Sequence, residues 1–414
     1  MYLRSIVPDK ISRSAKWFLA ASVFNGVGNG TLNVVLLLYL TSLGFDSAAL
    51  GTILMMQPLS TVLLTVPAGI LAGRYGGKKI LLVSLIPWGL SSLLLVMART
   101  IDVFMLSFLL LGVIEASAGV VLGPMYSSFF DSVDMDRAFG LQGFLNLVSV
   151  SIGSLFGFLP PMFMSAHDYS LQFSYWIVLV VGLVFLTAQL PFYVWATRGI
   201  IETRRAAGGP RFNLRSKSVV VKMCFLNLIS SIGFGSFFSF FPYYVNKKFS
   251  IESDALGTLY FISNFVRAGA SILAPRISRK LGTLKTIAAT ILLCVPFYLM
   301  IPLSPSFTWL SVAYILRLFI GNLSSPLTGS LYMRLLYPDE KATANSFTMM
   351  ASYGGNIIAP KLGAQLMQQV SLDMPAYLGS SLYIVLSSSY YLLLKNEKEA
   401  EKKQAEALAE KQNQ

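Results

Sequence analysis

A glycine-rich basic turn between two apolar runs decides the fold of this chain. Residues 69–81 read GILAGRYGGKKIL, and the stretches on either side are mostly apolar. The glycines permit a tight turn between helices. Arg74, Lys78 and Lys79 are residues of the kind that stay on the cytoplasmic side of a membrane. The stretch therefore predicts two membrane helices joined by a short cytoplasmic turn.

The composition extends this prediction to the whole chain. Of 414 residues, 55% are hydrophobic and 12% are charged, whereas soluble domains are about 45–50% apolar and about 25% charged. The sequence divides into twelve apolar runs, and a membrane helix needs roughly 20 such residues. The runs cover approximately 17–42, 48–73, 79–98, 103–131, 138–164, 172–197, 218–246, 254–276, 285–303, 308–337, 341–368 and 375–395. They do not alternate, which argues against a β-barrel.

The positions of the basic residues give the orientation. The net charge of +13 lies in short segments between the apolar runs and not on a polar domain that could bind nucleic acid. Segment 198–217 carries six Lys or Arg residues, whereas 43–47 and 165–171 carry none. Because cytoplasmic loops are enriched in Lys and Arg, we expect a multi-pass protein of the cell membrane. Both termini should be cytoplasmic, and no nucleic acid should bind.

An internal repeat supports a division into two halves. A displacement of 206 residues places residues 47–52 (SAALGT) on residues 253–258 (SDALGT). The same displacement also pairs Gly76 with Gly282 and Gly157 with Gly363. Parallel repeats of this kind place a binding site between the halves, near the middle of the bilayer.

Four segments follow from the repeat and from the basic linker. An N-terminal six-helix bundle is predicted at 1–197 and a cytoplasmic linker at 198–217. A C-terminal six-helix bundle is predicted at 218–395, followed by a charged cytoplasmic tail at 396–414.

The glycine-rich turn resembles the loop between helices 2 and 3 of the major facilitator superfamily, commonly G-x-L-A-D-R-x-G-R-K/R. The matching residues are Gly69, Leu71, Ala72, Arg74, Gly76 and Lys78. Gly73 and Gly77 stand where the family usually has Asp and Arg. The resemblance implies an all-α membrane protein with twelve transmembrane helices in two pseudo-symmetric six-helix bundles.

The resemblance also implies a cytoplasmic gate, because in the family this loop pairs with nearby charges and helps to keep that side closed. The candidate gate residues are Gly69, Arg74, Gly76, Lys78 and Asp131. Asp131, at the cytoplasmic end of the fourth run, is the candidate partner of Arg74. The alternative is that the basic residues only anchor the topology.

The charged residues that lie well inside apolar runs are Glu115 in the fourth, Arg267 in the eighth, Arg317 in the tenth and, toward the outer part of the eleventh, Lys361. A charge in the middle of a membrane costs at least about 2.5–3.5 kcal/mol, so such residues usually mark function. In the family, helices 1, 4, 7 and 10 line the central cavity, which implies a position on that cavity for Glu115 and Arg317. We predict that Glu115 couples transport to protons and that Arg317 and Arg267 bind substrate. The alternative is a buried ion pair that locks helices together.

Three asparagines form a polar stripe in the first apolar run. Asn25, Asn29 and Asn33 are spaced four residues apart and therefore share one helix face. We predict that they line the substrate cavity. The alternative role is hydrogen bonding between helices.

These features predict secondary active transport of a small organic solute by alternating access, driven by protons. Two arginines inside the spans favour an anionic solute, while apolar aromatic pairs favour an amphipathic one, as in multidrug efflux. We expect a monomer in the lipid bilayer with no cofactor, no metal site and no catalytic residues, because the single histidine, His167, lies in a loop. The alternatives are uniport or exchange without protons, a non-transporting receptor or sensor, and an intramembrane lipid enzyme.

Overall fold

The computed structural model describes residues 11–130, 135–199, 215–337 and 340–412, and its regular elements are helices. In the first half of the chain these are α1 (Arg13–Ser42), α2 (Ser47–Tyr75), α3 (Gly77–Val83), α4 (Leu85–Met97), α5 (Ile101–Ser127), α6 (Met135–Ser154), α7 (Leu159–His167) and α8 (Leu171–Ala196). In the second half they are α9 (Lys217–Phe238), α10 (Phe241–Phe249), α11 (Ser253–Leu281), α12 (Thr283–Leu303), α13 (Phe307–Arg334), α14 (Lys341–Gln369) and α15 (Met374–Gln412). The prediction of an all-α fold is confirmed.

Ten helical stretches in the described residues are long and apolar enough to cross a membrane. Three of them combine successive elements, namely α3 with α4, α6 with α7, and α9 with α10. Helices α11 and α14 have 29 residues each and therefore also have the length to cross a bilayer, but they carry more polar side chains. The ten apolar spans together with these two are consistent with the predicted twelve.

The helices pack into two compact units. Unit 1 consists of the described residues within Met1–Gly208 and Phe240–Ala268, and unit 2 of those within Gly209–Ser239 and Gly269–Gln414. In unit 1, α1 packs against α6 and α8; in unit 2, α9 packs against α14 and α15. The predicted domain boundaries follow the order of the chain and stay a prediction, since most of the linker lies outside the described residues.

The 206-residue repeat is visible in the positions of the helices. Four pairs of helices begin 206 residues apart: α2 and α11, α3 and α12, α5 and α13, and α6 and α14. Gly76 and Gly282, which precede α3 and α12, have φ angles of 92° and 81°. Residues with a Cβ rarely adopt such angles, so both turns require glycine.

The carboxylate of Glu340 ties the start of α14 to the start of α9. It accepts hydrogen bonds from the backbone N–H groups of Arg215 and Ser216, the latter at 3.0 Å. The first N–H groups of a helix have no partner within the helix, and their positive end favours a negative charge. Glu340 therefore caps α9 from the start of another helix. The Ser216 side chain, which stands at the usual capping position of α9, makes no capping hydrogen bond.

The pKa of the Glu340 carboxyl reflects this role. Burial alone would raise the pKa. The two backbone hydrogen bonds, a hydrogen bond from the Ser216 side chain and the charge of Arg215 outweigh it and lower the pKa below its ordinary value of 4.5. A carboxyl whose pKa is depressed on folding stabilises the folded state above its unfolded pKa. That stability is lost as the pH falls through the folded value.

We expect Glu340→Gln to lower the melting temperature of the purified protein at pH 7, because the cap loses its charge. The difference from the wild type should shrink as the pH falls below about 4.5, the unfolded pKa. The matched control is Asp168→Asn, which removes an exposed carboxyl. A Glu340→Gln deficit that is the same at pH 7 and at pH 4 would contradict a role for the ionised carboxylate.

Candidate functional site

A glycine brings the centre of α5 against α2. A Cβ on Gly112 would collide with the backbone carbonyl oxygen of Gln57 and with the side chain of Ser60. Small residues at such contacts let the backbones of membrane helices approach closely. The contact places the next turn of α5, which carries Glu115, beside the polar side chains of α2.

Glu115 lies in the middle of α5 and is partly buried. Its Oε2 atom accepts a hydrogen bond of 2.9 Å from Nε2 of Gln57, and the Thr61 hydroxyl lies 3.4 Å from the same oxygen. The Thr61 hydroxyl is also 2.9 Å from the carbonyl oxygen of Gln57 and 3.3 Å from that of Gly112. The carboxyl group of α5 is therefore held against α2 inside unit 1.

The asparagine stripe of α1 begins in a polar contact with α8. Nδ2 of Asn25 donates to Oε1 of Gln189 at 3.0 Å, and Nδ2 of Asn29 donates to Oδ1 of Asn25 at 3.0 Å. Asn29 and Asn33, further along the helix, are exposed on unit 1. Asn25 thus makes a hydrogen bond between helices, whereas the other two present amides at the surface of the unit. The cavity-lining role of all three stays a prediction.

Arg267 lies near the centre of α11, in the part of that helix that belongs to unit 1. Its side chain is partly buried, and Nη1 donates to Oδ1 of Asn264 at 3.3 Å. Arg267 and Glu115 therefore belong to the same compact unit, while Arg317 belongs to the other.

Arg317 of α13 is buried in unit 2 within four aromatic rings, which we call the aromatic cage. The guanidinium carbon lies 4.2 Å from the ring centroid of Phe238, 5.1 Å from those of Phe234 and Tyr383, and 5.3 Å from that of Tyr298. Nη2 donates to the Tyr383 hydroxyl at 2.5 Å. Cations over ring faces are stabilised by the ring quadrupole, so the cage supports the charge of the guanidinium.

The position of Tyr298 in the cage depends on two glycines. Its hydroxyl donates to the carbonyl oxygen of Gly233 in α9 at 2.9 Å. A Cβ on Gly379 of α15 would collide with the same ring. The cage therefore joins α9, α12, α13 and α15.

The predicted gate residues lie around the glycine-rich turn. Gly76 makes the turn after α2, and its N–H donates to the carbonyl oxygen of Ala72 at 3.0 Å. Arg74 is exposed, with its guanidinium carbon 5.4 Å from the ring centroid of Tyr75. The backbone of Gly69 faces Val120 of α5. Lys78 lies in α3 and is partly buried. Asp131 lies outside the described residues, so its pairing with Arg74 stays a prediction.

Several partners of the predicted residues were not identified from the sequence, namely Thr61, Gln189, Tyr298 and Tyr383. Each lies on a different helix from the residue that it contacts. Gln189 could have been suspected as an amide in an apolar run, but the tyrosines resemble the many other aromatic residues of the spans.

Metal ligands are not gathered at these positions. In the parts of the chain that the structure describes, no three His, Cys, Asp or Glu side chains could hold a metal ion together. Cys224 and Cys294 are free thiols.

We expect Gly112→Val to lower the stability of the protein by about 1–3 kcal/mol, because the side chain overfills the contact between α5 and α2. The matched control is Gly119→Val on the same helix, where a Cβ meets nothing within 4 Å. Unfolding in mixed micelles of increasing denaturing-detergent content measures both. Equal losses for the two variants would contradict the steric argument.

Comparison with known proteins identifies the family. The model of the Major Facilitator Superfamily matches residues 18–360 and 223–411. The uncharacterized membrane protein YJR124C of Saccharomyces cerevisiae is 33% identical over 102 residues, which are 24% of this chain and 22% of the yeast protein. The uncharacterized MFS-type transporter YceJ of Bacillus subtilis is 24% identical over 157 residues, which are 38% of this chain and 39% of that protein. The matched segments thus span well under half of either relative.

Solved structures share the fold over nearly the whole chain. The nucleoside transporter NupG is similar with a TM-score of 0.70, at 13% identity, over 93% of this chain and 100% of that one. A bacterial homologue of the human lysosomal transporter Spinster, inward-facing and occupied, has a TM-score of 0.70, at 13% identity, over 92% of this chain and 96% of that one. The predicted resemblance is confirmed: this chain belongs to the Major Facilitator Superfamily and has the fold of a multi-pass membrane transporter.

Proposed function

We propose that this protein is a secondary active transporter of a small organic solute that works by alternating access and is coupled to protons through Glu115. The observation that carries the proposal is the carboxyl of Glu115 in the middle of a span, held by Gln57 and Thr61. Ionisable groups at this depth are found on ion and proton pathways.

The surroundings of Glu115 suit both protonation states. As a carboxylate it accepts hydrogen bonds from the Gln57 amide and the Thr61 hydroxyl. When Glu115 is protonated, its O–H can donate to Oγ1 of Thr61, whose own proton can then point to the carbonyl oxygen of Gln57, 2.9 Å away. Hydroxyl groups rotate to suit their partners. After Glu115 takes up a proton, its O–H and the Thr61 O–H therefore each have an acceptor.

Alternating access is supported by how the segment 240–268 packs within unit 1. The Ser253 hydroxyl, at the start of α11, donates to the carbonyl oxygen of Gly157 at 2.7 Å. A Cβ on Gly257 would collide with the carbonyl oxygen of Ser154. At these two positions the contact is made by backbone and small side chains. Few side chains would have to rearrange there when the contact forms or breaks in a transport cycle.

The solute site that we propose includes Asn29 and Asn33, with Arg267 and Arg317 as charged candidates. Exposed amides in the middle of a span are unfavourable against lipid and favourable against a solute or water. The transported solutes of the structural relatives include nucleosides by the name of one of them. The panel of solutes to be tested therefore contains nucleosides, organic acids, amines and sugars. Uniport or exchange without protons is the competing mechanism.

We expect Glu115→Gln to abolish solute-dependent proton movement while solute exchange continues, because the amide mimics a permanently protonated carboxyl. The measurement uses proteoliposomes with a pH-sensitive dye inside and the solute panel outside. Asp102→Asn is the matched control, since Asp102 is exposed in the first turn of the same helix.

Two outcomes would contradict proton coupling through Glu115. If the Gln variant still drives proton movement with a solute that the wild type transports, another group carries the proton. If the wild type transports a solute with no proton movement, uniport or exchange takes the place of proton coupling.

The orientation is a separate prediction. We propose a location in the cell membrane with both termini and the segment 198–217 in the cytoplasm. This segment carries six basic residues, and cytoplasmic loops are enriched in Lys and Arg. A Gly208→Cys variant without Cys224 and Cys294 should resist labelling by an impermeant maleimide in intact cells and react after the cells are opened. Rapid labelling in intact cells would reverse the orientation.

A further inference from the structure

The spans of unit 2 contain a buried cation without a carboxylate of their own. Arg317 is 3% exposed. Residues 215–239, 269–337, 341–372 and 374–395 include no Asp or Glu. Three acidic residues lie between the last three of these ranges. Glu340 caps α9, Asp373 lies in the turn before α15, and Asp339 lies outside the described residues. Lone charges are rarely retained in an apolar interior unless they are paired, so a counter-charge from outside these spans would stabilise Arg317 strongly.

The guanidinium also has hydrogen-bonding capacity to spare. Arginine offers five N–H donors in a planar fork. The Tyr383 hydroxyl accepts from Nη2, but the Nε–H group has no partner among the described residues. Aromatic rings stabilise the charge and supply no oxygen to the donors in the plane of the guanidinium. Carboxylates supply two oxygens that match this fork.

One wall of the aromatic cage reaches the surface of unit 2. The side chain of Phe234 is 42% exposed and stacks on Phe238 with ring centroids 4.9 Å apart. Asn227, about two turns earlier on α9, lies on the same face. An exposed Phe225 lies on the opposite face of this helix. The exposed Phe234 ring, whose centroid lies 5.1 Å from the guanidinium carbon, therefore links the surface of unit 2 to the buried cation.

We propose that the substrate is an organic carboxylate with an apolar body, that Arg317 binds its carboxylate, and that Phe234 packs against its body. This inference rests on the proposed transport function and names its substrate class. The carboxylate would supply the missing counter-charge and accept from Nε–H. The exposed ring of Phe234 would favour benzoate-like acids over acetate.

The test is the melting temperature of the purified full-length protein, because a ligand of the folded state raises it. The probes are benzoate, phenylacetate and acetate, with benzamide and phenylacetamide as neutral matches. The wild type should be stabilised by the aromatic acids, more weakly by acetate, and not by the amides. Arg317→Gln should weaken benzoate binding on the order of 30-fold or more, and Arg317→Lys should keep part of it.

A second pair of variants leaves the charge in place. Phe234→Ala should remove the preference for benzoate over acetate, whereas Phe225→Ala, equally an exposed phenylalanine of α9, should keep it. This pair remains informative if the Arg317 variants fail to fold.

The proposal is overturned if acids and amides shift the melting temperature equally, if no acid shifts it, or if a folded Arg317→Gln variant keeps the full benzoate response. Equal effects of the two phenylalanine variants would overturn the role of Phe234. Solute-dependent proton movement without carboxylate binding would reject this substrate class and leave the transport proposal standing. Carboxylate binding through Arg317 without any solute flux would support the carboxylate site and reject the transport proposal.

Discussion

Close approach of helix backbones at small residues is the constraint on which both units depend. In lipid the hydrophobic effect does not drive helices together, so packing and hydrogen bonds must do so. In unit 1 the backbone of Gly153 in α6 lies directly against the carbonyl of Val27 in α1. In unit 2 that of Gly363 in α14 lies against the carbonyl of Ser236 in α9. Gly112 makes the same kind of contact between α5 and α2, and the Glu115 hydrogen bonds follow from it.

The positions that could be predicted from the sequence are those in which residue identity reports backbone geometry or the cost of a charge in an apolar run. The repeat pairs Gly76 with Gly282, and both have positive φ angles. Only glycine adopts such angles easily. Glu115 and Arg317 were singled out because charge inside an apolar run is costly, and both lie in the middle part of long helices. Neither prediction required information about which helices pack together.

The partners of these residues could not be predicted in the same way, because they depend on helix packing. Tyr383 contacts Arg317 from 66 residues away, and Gln189 contacts Asn25 from 164 residues away. No periodicity connects such positions. Tyrosines are also common in this chain, with 19 in total, so those of the aromatic cage carry no distinguishing signal. The proposed roles of Glu115, Arg267 and Arg317 depend on experiments on the protein itself.

The repeat separates the residues that build the scaffold from those that carry the proposed chemistry. Gly76 and Gly282 recur 206 residues apart, and so do the starts of α5 and α13. In that register Glu115 of α5 corresponds to Gly321, and Arg317 of α13 corresponds to Leu111.

The turn glycines and the helix starts thus follow the repeat, whereas Glu115 and Arg317 do not. A carboxyl group remains in a span of unit 1 and a guanidinium in a span of unit 2. In a cycle that couples two ligands of opposite charge, this asymmetry has a physical reason. A site for a proton needs a group that can lose its charge, and a site for an anion needs one that cannot. Glutamate and arginine meet these two requirements.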